Sequence, residues 1–145
     1  MRLSSKGRYA VMAMADLARH SADEGLRAVA LADIAARQDL SLAYLEQLFT
    51  RLRRQGLVVS HRGPGGGYRL ARPANQTAVA DIVTAVDEPI QAVRCQSQAK
   101  GCMPGGERCL THDLWEALGD QIRSFLSGVS LDDVVQGRLN RSRAA

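Results

Sequence analysis

A chain of 145 residues, 46% hydrophobic and 23% charged, has the proportions of one globular domain rather than of a disordered tail. Charges interrupt every hydrophobic run before the roughly 20 apolar residues that span a bilayer, and no apolar signal core follows the basic start, so a cytoplasmic protein without a membrane partner is expected. The net charge of +4 is uneven: residues 1–72 carry 12 Lys/Arg against 6 Asp/Glu and residues 73–145 carry 7 against 9, a pattern that suits a nucleic-acid-binding front half and also an ordinary basic surface.

No internal repeat is visible, which excludes a solenoid or propeller. Residues 4–20 read as a first helix, with Tyr9, Val11, Met12, Ala13, Leu17 and Ala18 set among polar positions. After a loop at 21–27, Leu31-Ala32-Asp33-Ile34-Ala35-Ala36-Arg37 forms a compact second helix that ends in a tight connection at Gln38-Asp39-Leu40. Ser41 is placed to cap a third helix over 41–54, its hydroxyl accepting from an orphan N–H. Leu42, Leu45, Leu48, Phe49 and Leu52 recur at helical spacing and predict its buried face. Ala43, Glu46, Gln47, Thr50, Arg51 and Arg54 fall on the other face, where such side chains suit base edges and phosphates, as they also suit plain solvent.

Two β-prone runs, 56–62 and 68–72, flank Gly63-Pro64-Gly65-Gly66-Gly67 and predict a hairpin made positive by Arg62, Arg69 and Arg72. A phosphate-binding loop would close on Gly-Lys-Ser/Thr and open a helix; here a strand follows. Helix, tight turn, helix and basic hairpin is the order of a winged helix-turn-helix, with 41–54 as the recognition helix. Thr77 can cap a fourth helix bearing Val79, Ile82, Val83 and Val86, which Pro89 stops. The chain is then loop-like to about residue 108. A second long helix carries Leu110, Leu114, Leu118, Ile122, Phe125 and Leu126, with Trp115 beside them. That stripe suits a partner helix in a two-fold dimer, the alternative being packing on its own domain. Residues 131–135 form a last short helix, and 138–145 a polar tail.

Three cysteines, Cys95, Cys102 and Cys109, fall within 15 residues, with His112 close behind. An odd, clustered set without a signal segment argues against a disulfide scaffold and for metal or redox chemistry. Thiolates and imidazole ligate zinc or iron–sulfur clusters. Structural zinc usually takes close cysteine pairs; the even six-residue intervals fit a larger object such as a two-iron cluster better. His112 at a helix start faces the positive end of the dipole, which favours an anionic cluster by roughly 0.5 kcal/mol. Unligated redox cysteines are a second reading. Cys/His catalysis is a third, without an orienting residue that sequence can identify.

Four segments carry a specific resemblance: Met1-Arg2-Leu3-Ser4-Ser5-Lys6-Gly7-Arg8-Tyr9-Ala10-Val11, Ser41-Leu42-Ala43-Tyr44-Leu45-Glu46-Gln47-Leu48-Phe49, Arg62-Gly63-Pro64-Gly65-Gly66-Gly67-Tyr68 and Cys109-Leu110-Thr111-His112. Together, in unbroken order to about residue 135, the chain resembles the IscR family of bacterial iron–sulfur cluster regulators. The resemblance implies a homodimeric transcription regulator, not an enzyme, with one 2Fe–2S cluster per subunit on Cys95, Cys102, Cys109 and His112. Its partners would be double-stranded operator DNA, RNA polymerase and cluster-assembly proteins, and its targets cluster-assembly genes. Family DNA-reading positions match Ser41, Tyr44, Glu46 and Gln47, with Arg62 in the wing, and Glu46 matches the residue tied to switching between site types. Two departures stand out: each interval between cysteines is one residue longer than the family pattern, and Ala43 replaces a usual serine. A nitric-oxide-sensing branch has an acidic ligand near the position of Arg8, and a cysteine-metabolism branch lacks this cysteine set.

The expected fold is therefore mainly α with a small β-hairpin: a winged helix-turn-helix domain plus a long dimerisation helix. Residues 1–72 form the DNA-binding region, 73–89 a connecting helix, 90–112 the cluster-binding loop, 110–127 the dimerisation helix, and 128–145 a short helix and flexible tail. Phosphate contacts are expected from Arg51, Arg53, Arg54, Arg62 and Arg69, and the dimer contact from Leu110, Leu114, Leu118, Ile122 and Phe125. The competing readings are a thiol-based redox regulator, a zinc-stabilised winged-helix module, and a small enzyme using Cys109 and His112.

Overall fold

The computed structural model describes residues 4–23, 27–86 and 103–139. Six α-helices are seen among them: α1 (Ser5–Asp23), α2 (Leu31–Gln38), α3 (Leu42–Arg54), α4 (Val79–Ala85), α5 (His112–Gly128) and α6 (Leu131–Gln136). Strands β1 (Val58–His61) and β2 (Gly67–Leu70) lie between α3 and α4, and a 3-10 turn spans Ala74–Gln76. The mainly helical fold with one hairpin is the one expected. The tail positions 140–145 and Pro89 lie outside the described residues.

α1 is the spine. Ala10, Ala13, Met14, Leu17 and Ala18 bury one face of it, and it meets α2, α3, β2, α4 and α6. Small alanines on that face let several neighbours approach closely. The α2–α3 connection turns on Asp39, in the left-handed region at φ 53°, a conformation that short polar side chains tolerate. Ser41 then caps α3 as expected, its Oγ accepting from the Tyr44 N–H at 3.3 Å. Leu45, Leu48, Phe49 and Leu52 enter the core.

The hairpin pairs Val58 with Leu70 and His61 with Gly67, shorter at its open end than the sequence suggests, with Gly67 joining the second strand. Val29 extends the sheet by a reciprocal pair of hydrogen bonds with Tyr68, 2.9 and 2.8 Å. This bridge explains Gly67: a Cβ there would lie 2.2 Å from the Val29 carbonyl oxygen. Tyr68 in turn packs edge-on against Phe49, with ring centroids 5.0 Å apart, so the wing is seated on the recognition helix.

Two expectations need correction here. Thr77 does not cap α4; it is buried and its hydroxyl donates to the Pro73 carbonyl at 3.1 Å. Ala78 occupies the cap position, held instead by an antiparallel bridge to Ser130. The carbonyl of Val86, the C-cap of α4, takes a hydrogen bond from the Arg51 guanidinium. Arg138 is not part of a loose tail: it pairs with Asp132 and Asp133, the latter also closing a capping box with Ser130. Ile82, Ala85, Val86 and Leu131 share one core with the helix-turn-helix, so the connecting and last helices are packed against it.

One buried charge pins α1 to α2. Asp16, its side chain 1% exposed, accepts from Arg37 Nη2 at 2.7 Å, from Arg37 Nε at 3.1 and 3.2 Å, and from Gln38 Nε2 at 2.8 Å. Burial pushes the Asp16 carboxyl up, but the hydrogen bonds from Arg37 and Gln38 and the charges of Arg37 and His20 outweigh it and hold it below the ordinary carboxylate value. Arg37 can return to water when its partner is lost, whereas Asp16 cannot. Arg37→Ala should therefore cost about 2–4 kcal/mol and Asp16→Asn about half that, read from urea unfolding. Because the folded-state pKa is depressed, the Asp16 contribution is full at neutral pH and lost as pH falls below about 4. The gap between wild type and Asp16→Asn should close over that range.

Candidate nucleic-acid interface and metal-ligand turn

Along α3, the core takes one side and leaves Leu42, Ala43, Glu46, Gln47, Thr50 and Arg54 in solvent. Ser41, exposed, holds the N-terminal end of this face, and Tyr44 stands half-buried at its edge with its ring edge-on to Tyr9 at 6.0 Å. Glu46 and Gln47 thus project from the first two turns, the part of a recognition helix that meets base edges.

Two residues of this helix depart from expectation. Leu42 is 42% exposed, not buried. It is the first helical residue and lies at the margin of the apolar arc, where none of the described elements covers the helix end. Arg51 is half-buried and donates from Nη1 to the Val86 carbonyl at 3.2 Å, tying α3 to the end of α4 rather than lying wholly on the outer face. Its position, midway between the two faces, hid that role from a pattern of apolar residues alone.

Arg62 is exposed at the start of the wing turn, whose Gly63 and Gly65 take φ of 101° and 73°. Arg53 reaches from α3 to the Ser60 hydroxyl on β1 at 3.3 Å, and Arg69 is half-buried on β2. Arg54 on α3 and Arg62 on the wing are both exposed, so the exposed residues of α3 and the wing combine base-edge donors and acceptors with cations for phosphate.

Toward the C-terminus, a turn at 103–107 leads to Cys109 and the start of α5. Cys109 is a half-buried free thiol, its Sγ 3.7 Å from the Thr111 hydroxyl. The His112 N–H donates to the Cys109 carbonyl at 3.1 Å, so the two side chains spring from one turn. His112 opens α5 as expected, and the N-cap residue Thr111 makes no side-chain cap hydrogen bond. Cys95 and Cys102 lie outside the described residues. The sequence reading missed two carboxylates: Asp113 and Glu116 gather with His112, their ligand atoms all within 4.8 Å, and Glu116 Oε2 is 3.9 Å from His112 Nε2. The helical i, i+4 spacing of His112 and Glu116 was the available signal.

The α5 stripe divides in two. Leu118, Ile122 and Leu126 are half-buried, and α5 rests on α4. Leu110, expected on this helix, instead lies in the turn before it and is fully exposed; Leu114 and Phe125 are 59% and 58% exposed, and Trp115 lies beside them. Contiguous apolar surface of this kind on a small domain marks an interaction face. Among the described residues no helix is long and apolar enough to cross a membrane.

A family model described as Rrf2, iron-dependent transcriptional regulator, matches residues 3–137. The HTH-type transcriptional regulators IscR of Pectobacterium carotovorum and Photorhabdus laumondii are each 57% identical to this chain over 138 residues, covering 95% of it and 81% of their own length. Among solved structures, T. potens IscR superposes with a TM-score of 0.75 at 36% identity, over 95% of this chain and 88% of that one. CymR, the global cysteine regulator of B. subtilis, gives 0.77 at 32%, over 94% and 97%. The resemblance read from the sequence is borne out, as is the winged-helix fold. The relatives are named as transcriptional regulators, which agrees with a regulator rather than an enzyme.

Proposed function

The chain belongs to the Rrf2 family of iron-dependent transcriptional regulators, and from that premise we propose that it is a homodimeric DNA-binding regulator which senses iron–sulfur cluster status through a 2Fe–2S cluster and controls cluster-assembly genes. The observation that carries this reading is the exposed α3 face of Ser41, Glu46 and Gln47 set beside a wing bearing Arg62, in a chain whose Cys109 and His112 share one turn. Cys95, Cys102, Cys109 and His112 would hold the cluster. Three thiolates and an imidazole are a donor set that iron–sulfur clusters accept, and the N-terminus of α5 favours an anion beside His112. When bound, the cluster supplies an iron- and redox-sensitive bond between the cysteine segment and α5.

The chain's own residues do the remaining work. Arg54 and Arg62 neutralise phosphates and set affinity; the Ser41–Gln47 segment reads bases and sets specificity. Glu46 accepts from cytosine N4 and repels phosphate and carbonyl-rich edges, so a small shift of α3 changes which sites tolerate it. Arg51 links α3 to the C-cap of α4, the helix that precedes the cysteine-bearing segment in sequence, and so offers a route between sensor and reader. The α5 face of Leu114 and Phe125, with Leu118 and Ile122 beneath and Leu110 just ahead of the helix, pairs two subunits so that two α3 helices address two half-sites. RNA polymerase and cluster-assembly proteins are the further partners this role requires.

The deciding experiment is purification without oxygen followed by absorption spectroscopy and assay of iron, sulfide and zinc. About two iron and two sulfide per chain is the expected result, together with duplex binding that weakens steeply with salt. Zinc near one per chain replaces the sensor with a zinc-stabilised module, and metal-free protein whose mobility changes on oxidation replaces it with a thiol switch.

A further inference from the structure

We propose that Leu42 is a specificity residue that packs against the C5-methyl group of a thymine in the major groove; the inference rests on the DNA-reading assignment of α3. Leu42 is the first residue of that helix, is 42% exposed, and is absent from the residues that pack on the core. Its side chain thus contributes little to folding. It stands where a recognition helix approaches base edges first, between the cap Ser41 and the exposed Ala43.

A leucine there can bond neither phosphate nor base edge. The apolar feature that the major groove offers is the thymine methyl group, so the chemistry of the ligand follows from the chemistry of the side chain. The setting matches. Leu42 is one helical turn from Glu46, on the same side of α3, and Arg53 and Arg54 follow on the exposed surface toward the C-terminal end. A protein partner would meet a leucine beside an N-cap hydroxyl and an acid, with arginines farther along the helix; a duplex meets a methyl contact beside an acceptor, with cations about three turns away for phosphate. Glu46 accepting from cytosine beside Leu42 touching thymine favours two pyrimidines close together on one strand.

The test uses the full chain and a preferred duplex selected from a random pool. Each thymine is replaced in turn by deoxyuridine, which removes only the methyl group, and then by 5-methylcytosine, which keeps the methyl and changes the pairing edge. One thymine in each half-site is expected to lose about fourfold in affinity as uracil, more than tenfold when both half-sites are changed, and to lose less as 5-methylcytosine than as cytosine. Leu42→Ala should lose the same factor on the thymine duplex and be indifferent to uracil at that position. Because Leu42 is exposed, that variant keeps its melting temperature and its salt dependence on random DNA. A preferred duplex with no uracil-sensitive thymine, or a uracil effect that persists in Leu42→Ala, overturns the assignment while leaving α3 as the reader. A pool that yields no duplex preferred over random DNA overturns both.

Discussion

Replacing Leu114 and Phe125 together by Glu is expected to turn the protein into a folded monomer and to weaken operator binding by two to four orders of magnitude. Both side chains are more than half exposed, so two carboxylates there meet water in the isolated subunit and leave its core untouched. In a dimer they would be driven into an apolar contact without partners, a cost of several kcal/mol for each charge. Leu118 and Ile122 are poorer choices, because they are half-buried already and their loss would mix folding with association. The effect on DNA is large because two half-sites bound by one dimer act as linked events, and splitting the dimer removes the gain in effective concentration, about 10²- to 10⁴-fold. Sedimentation of the variant should give one chain per particle with an unchanged unfolding midpoint. A variant that still sediments as a dimer assigns the α5 face to another partner.

The parts of the fold that could be read from sequence are those where one periodicity governs many residues. Leu45, Leu48, Phe49 and Leu52 repeat at helical spacing and all reach the core; Ser41 precedes them and caps the helix. The wing was legible because a glycine-rich turn between two β-prone runs has few other uses. The reason for Gly67 was not, since it depends on Val29, which is remote in sequence. The surroundings of Leu42, Thr77 and Arg51 were not legible for a common reason. The burial or partner of each side chain is decided by what lies next to it in space, which the pattern does not contain: the exposed start of α3 for Leu42, the Pro73 carbonyl for Thr77, the Val86 carbonyl for Arg51. The buried Asp16 pair is of the same kind. An acid in α1 carries no mark that an arginine 21 residues later will meet it.

The candidate sensor was legible as a set of donors and not as a geometry, and that difference shapes the second large effect. Changing Cys95, Cys102 and Cys109 to Ala together is expected to abolish iron and sulfide content, leave helicity and dimerisation intact, and retain part of the DNA affinity. Among the described residues the buried core members come from α1, α2, α3, β1, α4 and α6 and the residues joining them, and Cys109 is only half-buried just before α5. A cluster in that position is a ligand whose binding adds to stability by mass action, not a staple the fold requires. The triple variant should therefore melt with demetallated wild type, below the loaded protein. His112→Cys provides the complementary test: it keeps a cluster but moves it to all-thiolate ligation, which lowers its reduction potential by something on the order of 100 mV, as imidazole ligation is known to raise it. Unfolding of the triple variant would instead make the metal structural, as in zinc modules that are folded only when loaded. The α3 face and the wing would then be positioned by the metal, and DNA binding would vanish with it rather than change its choice of site.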